Sequence, residues 1–543
     1  HNIPLAFSNH LNPLLPDIFP DSQIAKQYSS AATKMTCLIN GAIAPYFREK
    51  LVEIMKNSPY SLLIDDSNDT DLEKMNPLTV RMFDIDTQRV ESRLLDMCAT
   101  TGKDSVTAAA SFDKIDQALD MYFIPWANYM GFGVDNTSVN LGNRNSIMTR
   151  VKEKNAACYF CPCHLIYNMV CKSASSFTQL SGFDVEDLCV DLFYYFDKSM
   201  KRKSMLVEVS EFCDVKYRQA IKHVSTYWLS LETAVQQNLC MYPALKSYFL
   251  SNSESLPCFK CLKTQFADPI LLFYNAVLPT FTILNKYLQR EDPCIFGAHD
   301  QIQDFVKRVL GKFVSIRNIR EASYVENVQF ERTKVGLVTK RRLQKLYSEG
   351  NIEPTQRSMF FKAVQQFYVT AIKESIAKLP LDDNVLKHSR FLDFFSRGTN
   401  VEFFVNTYSD LLLASPQDVE KLQEEFVDYQ LLKQTDIPES IWMDVIWGHL
   451  SSLKMTDVSL KFGRISKVAK TVLVLPQNAG EERVLKQTPF RSSLNVDGTL
   501  TSLITIKLAN QELGYNFEPA KEVLTKAKKA TWKYNNEHTV CEM

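Results

Sequence analysis

Two acidic residues stand where short apolar runs end. Ser61-Leu62-Leu63-Ile64 leads into Asp65, and the run from Tyr129 to Val134 leads into Asp135. Carboxylates at the carboxyl ends of neighbouring parallel strands would lie side by side. Such a pair repels and raises each other's pKa unless a cation sits between them. A hard divalent ion with oxygen ligands, Mg2+ or Mn2+, resolves that conflict. Two such ions ~3.5–4 Å apart can activate a water or a 3′-hydroxyl and stabilise the leaving oxygen at a phosphodiester. A third carboxylate is expected from a helix beside the sheet, and Glu482 fits. Asn478 can cap that helix with Glu481 as its capping-box partner, which leaves Glu482 as the ligand.

Such chemistry needs a sheet that brings the two runs together. Residues 1–58 have helical periodicity through Ile39, Ile43, Tyr46, Phe47, Leu51 and Ile54. Ser61–Ile64, Leu78–Asp84 and Arg89–Met97 then read as an antiparallel meander. An Ala-rich helix over 104–121, a strand over 129–134, a short helix over 146–154, a short strand over 156–160 and a helix from His164 to about Ser175 follow. The order β-β-β-α-β-α-β-α is, by analogy, that of an RNase H-like fold. The expected class is α/β: a mixed sheet with helices on both faces, interrupted by a large all-α insertion. From about 180 to 450 the pattern is amphipathic helices, among them 302–314, 358–379 and 416–432, with no fixed repeat. The expected organisation is therefore a helical region over 1–58, a first part of the sheet domain over 59–180, a helical insertion over 181–450 and a C-terminal part over 451–543.

At 543 residues the chain exceeds one ordinary core, and 45% hydrophobic with 23% charged residues is a globular composition. Lys+Arg and Asp+Glu are equal at 62 each, so net charge points to no polyanionic partner, although a local basic patch is compatible with it. Thirteen cysteines without a regular frame read as free thiols in a reducing compartment. The first residues show no signal-peptide pattern. The longest near-apolar run, Ile270–Leu284, is shorter than the ~20 residues of a membrane span and reads as a buried helix.

Taken in order, these segments resemble the hAT superfamily of transposases. The carrying residues are Ser61 to Asp69, Gly131 to Val139, Cys161 with His164, Trp228 in Thr226-Tyr227-Trp228-Leu229-Ser230, Phe462 to Lys470, Leu475-Pro476 and Asn478 to Arg483. The match covers nearly the whole chain. It implies catalytic and metal-binding roles for Asp65, Asp135 and Glu482, with Cys161, His164, Trp228 and Arg483 structural near the site. It further implies DNA as partner, a homo-oligomer formed through the C-terminal region, nuclear localisation, and no small-molecule cofactor or membrane. Departures accompany the match. Tyr227 stands where the family has Arg, whose charge Tyr does not replace. Pro489 cuts the helix after Arg483 short, and the upstream zinc module is missing. These point to decay or domestication, and hence to a second reading: a non-catalytic, self-dimerising protein that binds DNA or protein.

Other candidates are weaker. Cys158, Cys161, Cys163 and His164 crowd together without the second ligand pair a zinc site needs, so zinc is not expected. Cys258 and Cys261 form a lone CxxC outside any redox-fold pattern. The basic helix 519–537 and the cluster Lys198 to Lys203 fit solvated helix faces as well as phosphate contacts. His223 and His449 are expected to be packed or exposed, not catalytic.

Overall fold

The computed structural model describes residues 5–64, 67–68, 73–101, 107–134, 138–142, 144–160, 165–223, 228–251, 262, 264–290, 292–312, 314, 334–397, 401–407, 415–440, 442–476, 496–510 and 517–539. Two compact units divide the chain. One comprises His1–Cys161, Arg290–Ile295 and His388–Met543, and the other Pro162–Gln289 and Phe296–Lys387. The sequence pattern places its boundaries instead at 180/181 and 450/451. Helix Met443–Ser452 shows why residues near 450 belong with the sheet. Its buried Asp444 accepts the Val90 N–H and the Arg89 Nε–H, each at 3.2 Å.

The first unit holds a six-stranded mixed sheet. Its strands are β1 (Tyr60–Ile64), β2 (Ser67–Asn68), β3 (Glu73–Asp84), β4 (Arg89–Thr101), β5 (Tyr129–Gly133) and β6 (Tyr159–Phe160). The order runs β2-β3-β1-β5-β6, with β4 also paired to β3. β3 is antiparallel to both β1 and β4, while β5 is parallel to β1 and β6 parallel to β5. The meander is as expected but longer: β3 begins before Leu78 and β4 continues past Met97. β6 is shorter than the expected run over 156–160.

Strand alternation gives the sheet two different faces. Tyr60, Leu62, Ile64, Val80, Met82 and Phe132 join one core. Helices Ala44–Asn57, Ala108–Met121 and Ile147–Lys154 complete it through Met55, Ile115 and Val151. On the other face Leu94 and Met97 pack with Leu500 and with Ile504 and Leu508 of helix Thr501–Ala509, which Leu500 precedes. Helices therefore cover both faces.

Local caps fix where these helices start and stop. Thr107 accepts the Ala110 N–H at 3.2 Å. Ser146 and Thr149 form a reciprocal capping box at the start of helix Ile147–Lys154. Asn128 donates to the last carbonyls of helix Ala44–Asn57, Met55 at 3.1 Å and Lys56 at 2.7 Å, which ties that helix end to the start of β5.

The second unit is helical, and its core is helix Ala267–Leu288. Among the described residues this is the one helix long and apolar enough to cross a membrane, and 61% of its apolar window is buried within the protein. Phe273 is fully buried and meets Phe177, Phe360, Phe367 and Tyr368 at ring-centroid distances of 5.5, 6.4, 5.5 and 5.9 Å. Edge-to-face geometry at three of these contacts adds to the burial energy. Truncation at this hub leaves a cavity that rigid neighbours cannot fill. Phe273→Ala is expected to destabilise the second unit by about 3–5 kcal/mol. Denaturant titration followed by intrinsic fluorescence measures this, and a shift below ~1 kcal/mol would show that the site collapses.

Candidate functional site

β1 and β5 are the centre of the sheet, and every residue of both is buried. Burial on both faces explains why they read as short apolar runs without alternation. Their parallel register pairs Ser61 with Gly131, Leu62 with Phe132 and Leu63 with Gly133. Asp65 and Asp135 each follow two residues after the last pair. Both lie outside the described residues, as do Glu482, Arg483, Cys161 and His164. Trp228 opens helix Trp228–Ser251 of the second unit.

The C-terminal part of the first unit reaches the same strand ends. Helix Gly463–Leu473 carries the chain to Pro476, which lies directly on β5. A Cβ at Gly131 would come within 2.3 Å of Pro476 Cδ, and one at Gly133 within 3.3 Å of Pro476 Cβ. The two glycines form a notch for the proline, a demand that local sequence does not reveal. Glu482 stands six positions after Pro476 (482 − 476), a stretch that spans at most about 20 Å.

Several charges hold helix Gly463–Leu473 on this face. At its start the buried Glu425 carboxylate accepts the backbone N–H groups of Arg464 and Ile465 at 2.8 and 2.9 Å. An anion at the helix N-terminus satisfies donors that lack intrahelical partners and suits the helix dipole. Arg464 also bonds Asp418 at 2.8 Å and Glu425 at 3.3 Å. Hydrogen bonds from Arg464 and Ser415 hold the Asp418 carboxyl below its ordinary value. At the other end Arg81, buried on β3, donates to the Leu473 carbonyl at 3.5 Å. Lys470 lies 4.3 Å from the centre of the Phe83 ring, and burial lowers its pKa. Phe462-Gly463-Arg464 is therefore the start of a clamped helix that aims Pro476 at the strand ends.

A second acidic group sits beyond the amino end of β1. Asp84 and Glu91 both pair with Arg93, the Glu91 Oε2 to Arg93 Nη2 distance being 2.8 Å, and all three side chains are buried. Asp84 also accepts the Asp86 N–H at 2.7 Å, and Thr87 donates to Glu91 at 2.8 Å. With these partners the network is a brace for the β3–β4 hairpin.

Some of the remaining sequence candidates lie among the described residues. Cys158 is buried, and burial pushes its thiol up to about 12. Cys161, Cys163 and His164, the rest of that group, lie outside the described residues. Among the described residues no group of three His, Cys, Asp or Glu could hold a metal. Cys258 and Cys261 lie outside the described residues. Buried His223 bridges Ser230 at 2.8 Å and Glu186 at 3.3 Å, while His449 is half-buried. Arg202 stacks 3.9 Å from the Tyr195 ring centre, Lys198 lies 5.3 Å from that of Tyr194, and Lys203 pairs with Asp197 at 3.4 Å, so three of the four basic residues in that cluster fold back on their own unit. Helix Lys521–Thr539 is not solvated all round. Ala530 meets Gly41 so closely that a Cβ there would lie 2.6 Å from it, and Lys526 pairs with Glu49 at 2.6 Å.

Two outcomes follow from this arrangement. Gly131→Ala is expected to cost about 1–3 kcal/mol by overpacking against Pro476. Its test is the midpoint of chemical unfolding, and an unchanged midpoint would show that Pro476 yields freely. Because the folded-state pKa of Asp418 is depressed, the stability it contributes is present above the ordinary value of 3.8 and is lost as pH falls through the lower folded value. Asp418→Asn should therefore lower the melting temperature at about pH 7, and the difference from wild type should shrink as pH falls below 3.8. A pH-independent difference would remove the ion pair from the account. No protein-family model matches the chain, and no curated protein matches it.

Proposed function

We propose that the first unit is an RNase H-like catalytic core of the hAT transposase type, acting on DNA. The observation that carries this reading is the parallel pairing of β1 with β5 through Leu63 and Gly133, because each strand then runs on to an aspartate two residues later. The wider sheet supports it. An antiparallel β1-β3-β4 meander with β5 and β6 added in parallel on the other side of β1 is the arrangement the fold analogy requires. Pro476 on Gly131 and Gly133 supports it further, since the chain sets out towards Glu482 from those strand ends.

Asp65, Asp135 and Glu482 would hold the divalent ions, an all-oxygen donor set that suits Mg2+ or Mn2+. Bound ions would supply a Lewis acid at the scissile phosphate and an activated oxygen nucleophile. The two aspartates follow, in sequence, central strands with no exposed residue. Glu482 is carried by a segment whose start is clamped through Arg464 and Glu425. On this reading DNA is the partner, the protein acts in the nucleus, and it works as a homo-oligomer.

The test is strand cleavage of DNA carrying terminal repeats, with Mg2+ or Mn2+, by the purified chain. Wild type should nick this DNA, and Asp135→Ala should abolish nicking without changing the melting temperature by more than a few degrees. Equal cleavage by the two proteins, or none by wild type with either ion, overturns the catalytic assignment.

A further inference from the structure

The second unit contains an open cleft of about 820 Å³ between helices Trp228–Ser251, Ala267–Leu288 and Leu337–Ser348. That volume lies in the range of small-molecule sites and far exceeds what a lone inorganic anion fills. Its lining has three distinct chemistries. Arg218, Lys246 and Arg342 supply cations against a single carboxylate, Asp268. Asp268 pairs with Arg342 through Nε, and neither Arg218 nor Lys246 has an ion-pair partner among the described residues. The cleft is therefore net positive and calls for an anion. Arginine forks and a lysine together suit an anion with several oxygens, as a phosphate has.

An apolar wall and an unpartnered acceptor narrow the ligand further. Leu239, Pro243 and Leu272 form the wall, Leu239 and Pro243 one helical turn apart and Leu272 on the facing helix. Pro243 stands inside helix Trp228–Ser251 and has no N–H to give the Leu239 carbonyl. The Asn275 side-chain oxygen is buried without a hydrogen-bond partner. The Asn275 acceptor calls for an N–H or O–H donor, which a base amino group or a sugar hydroxyl supplies. Tyr242 is buried in the same cleft, and burial raises its hydroxyl pKa to about 12, with the Asp268 charge adding to that, so it remains a neutral donor. Gln237 donates to the Gln219 carbonyl at 2.6 Å, which fixes the segment that brings Arg218 to the cleft.

We infer that this cleft binds a nucleoside phosphate, with the phosphate at Arg218, Lys246 and Arg342 and the nucleoside against Leu239 and Leu272. The ligand could be a free nucleotide or the terminal nucleotide of a single strand, since both present the same groups. The inference rests on the second unit alone and stands apart from the metal chemistry proposed for the first.

Calorimetric titration of the full chain with dATP, dAMP, inorganic pyrophosphate and a short oligo-dT strand tests it. The expected result is binding of dATP, weakened about tenfold or more in Lys246→Glu, whose charge reversal opposes the phosphate. Asn275→Ala should weaken dAMP while leaving pyrophosphate unchanged. Circular dichroism identical to wild type in both variants ensures that lost binding reports the site. Competition of oligo-dT with dATP assigns the site to a strand end, and dATP binding without competition assigns it to a free nucleotide. Three results overturn the inference: no binding of any probe at about 1 mM, pyrophosphate binding as tightly as dATP, or unchanged dATP binding by Lys246→Glu.

Discussion

The first unit depends on one contact, the parallel pairing of β1 with β5. Five residues of each strand are buried on both faces, so each must be covered twice. The first covering comes from Ala44–Asn57, Ala108–Met121 and Ile147–Lys154, which are near in sequence. On β5 the second comes from Pro476, which is remote. Glycine at positions 131 and 133 makes the second covering possible, because any side chain there would meet the ring of Pro476. The pairing thus sets both where β1 and β5 end together and which segment can lie upon them.

The remote covering is held by charge as much as by apolar contact. Glu425 receives the first amides of helix Gly463–Leu473, Arg464 returns the charge, and Arg81 meets the final carbonyl. A buried carboxylate with three donors is fully satisfied, whereas removing one partner would leave the other buried and unpaired. The hairpin brace of Asp84, Glu91 and Arg93 follows the same logic at the other end of the sheet. The second unit relies on a different device: aromatic side chains interlock around Phe273, and the Tyr368 hydroxyl among them donates to the Lys334 carbonyl at 3.2 Å.

Much of the sheet could be read from the chain because its signals are local. Short apolar runs ending in acid marked β1 and β5, and alternation marked part of β3. The limits of β3 and β4 were not legible, since their outer residues are set by pairing with each other, through a register shift at Leu78/Thr79. Nor was the notch for Pro476, since a glycine carries no sign of what will approach it. Nothing local singles out Asp444 or Glu425, and only partners 354 and 39 residues away make them buried anchors. Of the candidate site, the strand pair that leads to Asp65 and Asp135 is described, while the three carboxylates themselves lie outside the described residues.

The notch at Gly131 and Gly133 also has a consequence in time. Between Gly133 and Pro476 the ribosome adds 343 residues (476 − 133), which at ordinary elongation rates takes about 20 to 70 s. For that interval one side of the newly made β1–β5 pair has no cover from its own chain, while the intervening helices around Phe273 are already complete and free to fold. The sheet unit therefore finishes last although its strands are made first. Its nascent form should be a substrate for chaperones that shield apolar strands, and premature termination before residue 476 should yield aggregates, not a smaller folded protein.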